Sequence, residues 1–82
     1  MKIDGAFNVF DKGQGIRAVL FTPHDLSGGS LGSHDVSSLE GLTHFMTVLG
    51  NPVQPEQAKL LWNGGSLAGS ITPEHFGDYF SK

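Results

Sequence analysis

The stretch GGSLAGSITPEHF, residues 64–76, decides the fold that this sequence predicts. An apolar segment that begins at Pro55 precedes it, and an aromatic segment that begins at Pro73 overlaps its end. Proline is favoured at the first position of a helix, and Glu56 and Glu74 would place negative charge in positively polarised first turns. The stretch is therefore predicted to be the loop of a helix-loop-helix unit.

Two further helices are predicted before this unit. Apolar residues recur at steps of three and four from Leu39 to Leu49, after serines that can cap a helix and before Gly50, which ends it. The same spacing over residues 1–10 predicts a short N-terminal helix that stops at the glycines of DKGQG. Residues 16–22 are β-branched and apolar, which predicts a strand or an extended connector. The chain would then contain two helix-loop-helix units.

Three stretches of the chain resemble the calmodulin superfamily of EF-hand proteins, particularly a single lobe of the myosin light chain kind. They are AFNVFDK at residues 6–12, LTHFMTVLG at residues 42–50 and GSITPEHF at residues 69–76. When Gly64 is taken as the first loop position, Gly69 stands at the sixth, where an EF-hand loop turns sharply. The resemblance implies a mostly α fold: a paired EF-hand-like lobe of four short helices, with a short two-stranded β link and an enlarged first loop.

The resemblance also implies how the chain is divided. Residues 1–82 would form a single EF-hand-like lobe. Hand 1 would cover about residues 1–50 with an insertion near residues 16–36, and hand 2 about residues 53–82. Paired hands meet through the short strands of their loops, so Ile71 is expected to pair with part of the insertion.

The loop has the frame of a calcium site but lacks its ligands. Gly64, Ser66 and Ala68 stand at the first, third and fifth positions, and His75 stands near the end of the loop, where a bidentate glutamate would close the site. What the resemblance then implies is a calcium-independent, light-chain-like subunit that binds an amphipathic basic helix, of the IQ type, from a myosin or similar heavy chain. A side chain at position 75 that titrates near neutral pH could also make the lobe sensitive to pH.

The candidate residues of the partner-binding groove are the large apolar side chains of the predicted helices. They are Phe7, Phe10, Phe45, Met46, Leu49, Leu61, Trp62, Phe76 and Phe80. Each of them could instead pack in the core. Calmodulin-like lobes hold a target helix between their own helices, so both roles fall to the same kind of residue.

A metal site is the alternative function. The glycine- and serine-rich segment after Pro23 contains two His-Asp pairs, and imidazole and carboxylate groups suit zinc or other divalent ions. The candidate ligands for zinc or calcium are His24, Asp25, His34, Asp35 and Glu40, and Ser27 and Ser30 could add oxygens to a distorted calcium site. A small metal-regulated binding protein would use this segment.

Composition excludes several other classes of function. The 82 residues contain no cysteine and carry a net charge of −3, with the basic residues scattered, so a nucleic-acid surface is not expected. No apolar run is long enough to span a membrane, which indicates a soluble, cytoplasmic protein that binds no membrane. No pattern typical of a nucleophile, a phosphate loop or a cofactor site is present, so neither an enzyme nor a cofactor is predicted.

Overall fold

The computed structural model describes residues 2–25 and 32–80 of the chain. The elements are strands β1 (Ile3–Gly13), β2 (Ile16–Pro23) and β3 (Ser33–Val36), helices α1 (Leu39–Val48) and α2 (Pro55–Trp62), strand β4 (Ser66–Ile71) and helix α3 (Pro73–Tyr79). The strands form one antiparallel sheet in the order β3-β2-β1-β4. The predicted mostly α, EF-hand-like lobe with a two-stranded link is therefore wrong.

Strand β1 stands where the first helix was predicted. Phe7 and Val9 are buried on one face of the sheet, which we call the inner face, whereas Asn8 and Phe10 point to the opposite, outer face. An alternation with a period of two is that of a strand with one covered face. The helix prediction failed because Ile3, Phe7 and Phe10 also fit a helical spacing of three and four.

The glycines after β1 form a hairpin turn instead of a helix end. Gln14 and Gly15, the two residues between the strands, have φ angles of 58° and 77°. Positive φ at both central residues is the mark of a type I′ turn, whose twist matches that of the flanking strands. The Asp11 carboxylate accepts a hydrogen bond of 2.8 Å from the backbone N–H of Gly13, beside a bulge in the register. The turn returns the chain as β2.

Of the two alternatives predicted for residues 16–22, a strand or an extended connector, the structure shows the strand, β2. Phe21 lies opposite Phe7 and Val19 opposite Val9, and the two phenylalanine rings are 4.8 Å apart between centroids. Val19 also lies opposite His34 of the short strand β3. The described part of the expected loop insertion thus consists largely of two strands of the sheet.

All three later helices begin where the sequence predicted them. The Ser38 hydroxyl caps α1 by accepting a 2.9 Å hydrogen bond from the N–H of Gly41. Helices α2 and α3 begin at Pro55 and Pro73, as expected from proline at a first helical position. Gly50, with a φ of 85°, follows α1. Local capping signals therefore decided these boundaries.

Strand β4 occupies about half of the stretch predicted to be an EF-hand loop. Ile71 lies opposite Ile3 of β1, so the expected pairing of Ile71 with residues 16–36 is wrong. Gly69 lies opposite Gly5 in the same ladder. A side chain at Gly69 would collide with the Asn51 amide, so this glycine serves a close packing contact and not a calcium loop.

The core lies between the inner face of the sheet and the helices. Its buried members come from all four strands, from α1 and α2, and from the residues that directly follow α1 and α3. They are Phe7, Val9, Val19, Phe21, Val36, Leu42, Phe45, Met46, Leu49, Leu61, Ile71 and Phe80. This packing places α1 and α2 side by side, so that their surfaces can form a groove between them.

Candidate functional site

Most of the predicted groove residues lie inside the core. Six of the nine are at most 4% exposed: Phe7, Phe45, Met46, Leu49, Leu61 and Phe80. They fill the space between the helices and the inner face of the sheet. These six side chains therefore pack in the core, which was the alternative role given for each of them above.

The other three predicted groove residues lie apart from one another. Phe10 is on the outer face of the sheet and 53% exposed. Trp62 packs on the core, with the Arg17 guanidinium 4.1 Å from the centre of its ring. Phe76 is partly buried against the core. The nine residues therefore do not line one surface.

The candidate metal ligands are also separated. His34 stacks on the ring of Phe45 in α1, with 4.1 Å between the ring centroids, whereas Asp35, the next residue of β3, forms an ion pair of 2.9 Å with Lys12. Glu40 is in the first turn of α1, and the backbone of His24 donates to Asp4 at the end of the sheet. Over residues 2–25 and 32–80, no group of three or more His, Asp or Glu could hold a metal ion. Ser27 and Ser30 lie outside the described residues.

The environment of His34 disfavours its protonated form. Burial against Phe45 lowers the pKa of the imidazole below its usual value of 6.5, and the neighbouring Asp35 carboxylate opposes this in part. The ring also makes an edge contact with Tyr79 at 5.6 Å. The ring is therefore held in its neutral form, packed against two aromatic rings at the edge of the core.

An apolar groove lies between α1 and α2. It has a volume of about 430 Å³. Its apolar lining consists of Leu39, Val53, Pro55 and Ala58, with Thr43 beside them, and Glu40, His44 and Lys59 complete it with polar groups. Pockets of roughly 300–1,000 Å³ with an apolar lining and few polar groups are the usual sites of ligand binding. We call it the α1/α2 groove.

The sequence builds this groove from helical spacing and one small side chain. Leu39 and Thr43 are one turn apart on α1, on the flank of the stripe that enters the core. Ala58 is only 2% exposed, and its small side chain leaves the wall of α2 hollow. Val53, in the connection between the helices, packs against the core and closes the floor. The four-residue spacing in α1 was visible in the sequence, but its opposite wall was not.

Charges of both signs lie around the groove. Glu40 and His44 are one turn apart on α1, and Lys59 is on α2. The ion pair between Lys12 and Asp35 is the only one in the part of the chain that the structure describes, so Glu40 and Lys59 are not paired within it. Both charges are left to interact with whatever enters the groove.

A second hollow lies at one end of the sheet and is polar. Asp4, His24, Asn51 and Ser70 line it together with glycine and alanine, and it has a volume of about 420 Å³. The Asn51 side-chain nitrogen is buried there without a hydrogen-bond partner. No hydrogen bond joins the side chains of Asp4, His24 and Ser70 within the described residues. Within this hollow, these three side chains form no hydrogen-bonded nucleophile-base pair.

Comparison with known proteins does not place the chain in a family. It matches no family model, and no curated protein or solved structure is significantly similar to it. None of the helices within the described ranges is long and apolar enough to cross a bilayer. Function must therefore be argued from the surface of this fold.

Proposed function

We propose that the protein is a small binding module that holds an amphipathic helix of a partner protein in the α1/α2 groove. The observation that carries this proposal is an apolar hollow, flanked by two helices, whose two nearby charged groups have no partner within the described structure. The IQ-type heavy-chain helix implied by the EF-hand resemblance is not proposed, because that resemblance implied a mostly α fold and the chain forms a four-stranded sheet. The partner is defined here by its chemistry alone.

The shape of the groove favours a helix as its occupant. A third helix can pack beside two neighbouring helices with its axis about 8–10 Å from theirs, with its ridges in their groove. Helix-binding grooves take apolar anchors spaced at three and four residues. Leu39, Val53 and Ala58 provide the apolar surface that such anchors would cover. The apolar lining of the groove would thus be covered by the apolar face of the partner helix.

The charges near the groove predict the flanks of the bound helix. Glu40 belongs to the wall formed by α1 and Lys59 to the wall formed by α2. A partner helix with basic residues on one flank and acidic residues on the other would meet opposite charges on both sides. Such complementarity contributes more to orientation than to affinity. It therefore sets the direction in which the partner helix lies.

A designed peptide tests the site directly. The probe is a synthetic helix of about 14 residues, roughly 21 Å long, which matches the shorter dimensions of the molecule, 23 and 20 Å. It carries leucines at steps of three and four, lysines on one flank and glutamates on the other. In a titration followed by two-dimensional NMR, we expect the largest shifts in the first halves of α1 and α2. Shifts confined to the polar hollow or to the outer face would contradict the proposal.

A matched pair of variants separates groove binding from general effects on α1. Thr43 and Thr47 both donate a side-chain hydrogen bond to the carbonyl four residues earlier, at 2.9 and 3.0 Å, but only Thr43 lines the groove. We expect Thr43→Arg to weaken peptide binding by about tenfold or more, because the long side chain occupies the hollow. Thr47→Arg is expected to leave the affinity unchanged. Equal losses in the two variants would remove the groove as the binding site.

The charges can be tested by the direction of the bound peptide. A spin label at the peptide N-terminus should broaden NMR signals at one end of the groove. In a double variant, Glu40→Lys with Lys59→Glu, the flanks exchange sign, and we expect the label to move to the opposite end. A label that stays at the same end would show that the charges do not orient the peptide.

A further inference from the structure

We propose that the protein forms a symmetric dimer in which β4 pairs antiparallel with β4 of a second copy, giving a continuous eight-stranded sheet. This inference is independent of the α1/α2 groove. It starts from the two edges of the sheet, which are β3 and β4. They differ in length and in charge.

Strand β3 has the features of a protected edge. It is four residues long, and its Asp35 carries a charge that is held in an ion pair with Lys12 of β1. Short edge strands and charged side chains discourage pairing with another chain. Strand addition is therefore disfavoured at the β3 side of the sheet.

Strand β4 has none of these features. It runs over six residues, SLAGSI, without a charged residue or a proline. No strand of the described ranges pairs with its free side. An uncharged edge of this length presents a row of backbone N–H and C=O groups that are ready to pair with another strand.

The order of side chains in β4 fits a second copy of itself. If a two-fold axis perpendicular to the sheet passes at Ala68, Ser66 lies opposite the partner's Ser70, on the outer face. On the inner face, Leu67 lies opposite the partner's Gly69, and the partner's Leu67 lies opposite Gly69. Serine pairs across strands can hydrogen-bond, and this register forms two of them. The position above Gly69 on the inner face is already filled by the Asn51 amide, so the serine pairs carry the choice of register.

Alternative symmetric registers lose the serine pairs. A two-fold axis at Leu67 would place Ser66 opposite the partner's Ala68, and an axis at Gly69 would place Ser70 opposite the partner's Ala68. An axis between two residues would place inner-face side chains opposite outer-face side chains. Opposite residues of an antiparallel pair point to the same face of the sheet, so this register is not possible when the helices of both copies lie on one side. The pairing centred on Ala68 is thus the one that the side chains favour.

Single cysteine variants test the pairing and its register, because the chain contains no cysteine of its own. Residues opposite each other in an antiparallel pair have Cα atoms about 4.5–5.5 Å apart, within the range of about 4.4–6.8 Å that a disulfide requires. We expect Ala68→Cys to form a cross-linked dimer under mild oxidation. The introduced thiols of Ser66→Cys would lie about 13 Å apart across the axis, and we expect this variant to stay uncross-linked.

Ala6→Cys is the matched control for the outer face. Ala6 lies directly opposite Ala68 in the β1–β4 ladder, on the same face of the sheet but one strand further from the edge. In the edge-paired dimer, its two copies would be about 14 Å apart and should not cross-link. Cross-linking of Ala6→Cys with none at Ala68→Cys would mean that the sheets pack face to face, and would overturn the proposal.

A charge test checks the pairing without oxidation. Sedimentation velocity over about 10 μM to 1 mM should show concentration-dependent association of the wild-type chain. Ala68→Lys alone and Ala68→Glu alone should weaken association by about twofold to fivefold or more, because like charges meet at the axis, and a mixture of the two should restore it. Ala6→Lys should associate as the wild type does. A wild-type chain that stays monomeric and an Ala68→Cys variant that does not cross-link would together refute the dimer.

Discussion

The two faces of the sheet are formed by the same strands, but the inner face is buried in the core and the outer face is exposed. On the inner face, Phe7 and Phe21 are fully buried and their rings are 4.8 Å apart. On the outer face, Phe10 is 53% exposed, and Lys12 forms its ion pair with Asp35 through side chains that remain about half exposed, at 49% and 50%. Within residues 6–10 of β1, odd-numbered residues such as Phe7 therefore pack in the core and stabilise the fold, whereas even-numbered residues such as Phe10 lie on the outer surface.

The largest expected effect separates the two phenylalanines of β1. Phe7→Ala removes a fully buried ring and should lower the free energy of unfolding by about 3–5 kcal/mol. Phe10→Ala removes an exposed ring and should lower it by less than about 1 kcal/mol. Urea unfolding at low protein concentration, followed by circular dichroism, measures both values. Equal losses would mean that the outer face is as well covered as the inner one.

The alternation of buried and exposed residues in β1 was present in the sequence but did not identify the strand. In β1, Phe7 and Val9 belong to the core and Asn8 does not, which is the pattern of a strand. Ile3, Phe7 and Phe10 nevertheless fit a helix equally well, because a segment this short cannot separate a period of two from a period of 3.6. The turn at Gln14 and Gly15 was the better signal, since a two-residue link ending in glycine favours a hairpin.

Helices and long-range pairings differed in how much the sequence could predict. Ser38, Pro55 and Pro73 carry local signals, and all three helices begin where these residues indicated. The pairing of β4 with β1 joins Ile71 to Ile3, at opposite ends of the chain, and nothing local specifies it. The α1/α2 groove could be predicted only in part. Leu39 lies on a helix that the sequence predicts, but its position across the groove from Ala58 depends on how α1 and α2 pack on the sheet.

A smaller effect is expected at the edge of the inner face, where His34 stacks on Phe45. Burial lowers the pKa of His34 below 6.5, although Asp35 raises it in part, so the folded state favours the neutral ring. The unfolded chain takes up this proton first as the pH falls. Stability contributed by the neutral ring is therefore complete above about pH 6.5 and is lost as the pH falls through and below that value.

The His34→Gln variant tests this assignment. Free energies of unfolding are measured for both proteins at about pH 7.5 and about pH 5. We expect the wild-type protein to lose more stability between the two pH values than the variant does. The other three histidines, His24, His44 and His75, are present in both proteins, so the comparison isolates the substitution at position 34. An equal loss in the two proteins would show that burial of His34 is not coupled to folding.

The smallest expected effect is that of the outer-face ion pair between Lys12 and Asp35. Their charged atoms are 2.9 Å apart, but both side chains are about half exposed, at 49% and 50%, so water and salt screen the attraction. A double-mutant cycle with Lys12→Ala and Asp35→Ala should give a coupling free energy of about 0.2–1 kcal/mol. It should be measured near pH 7.5, where His34 is neutral in both states, and should shrink as salt is raised to about 1 M. A larger coupling that salt does not reduce would contradict the contrast between the faces, because it would require the outer-face pair to be shielded from water as the inner face is.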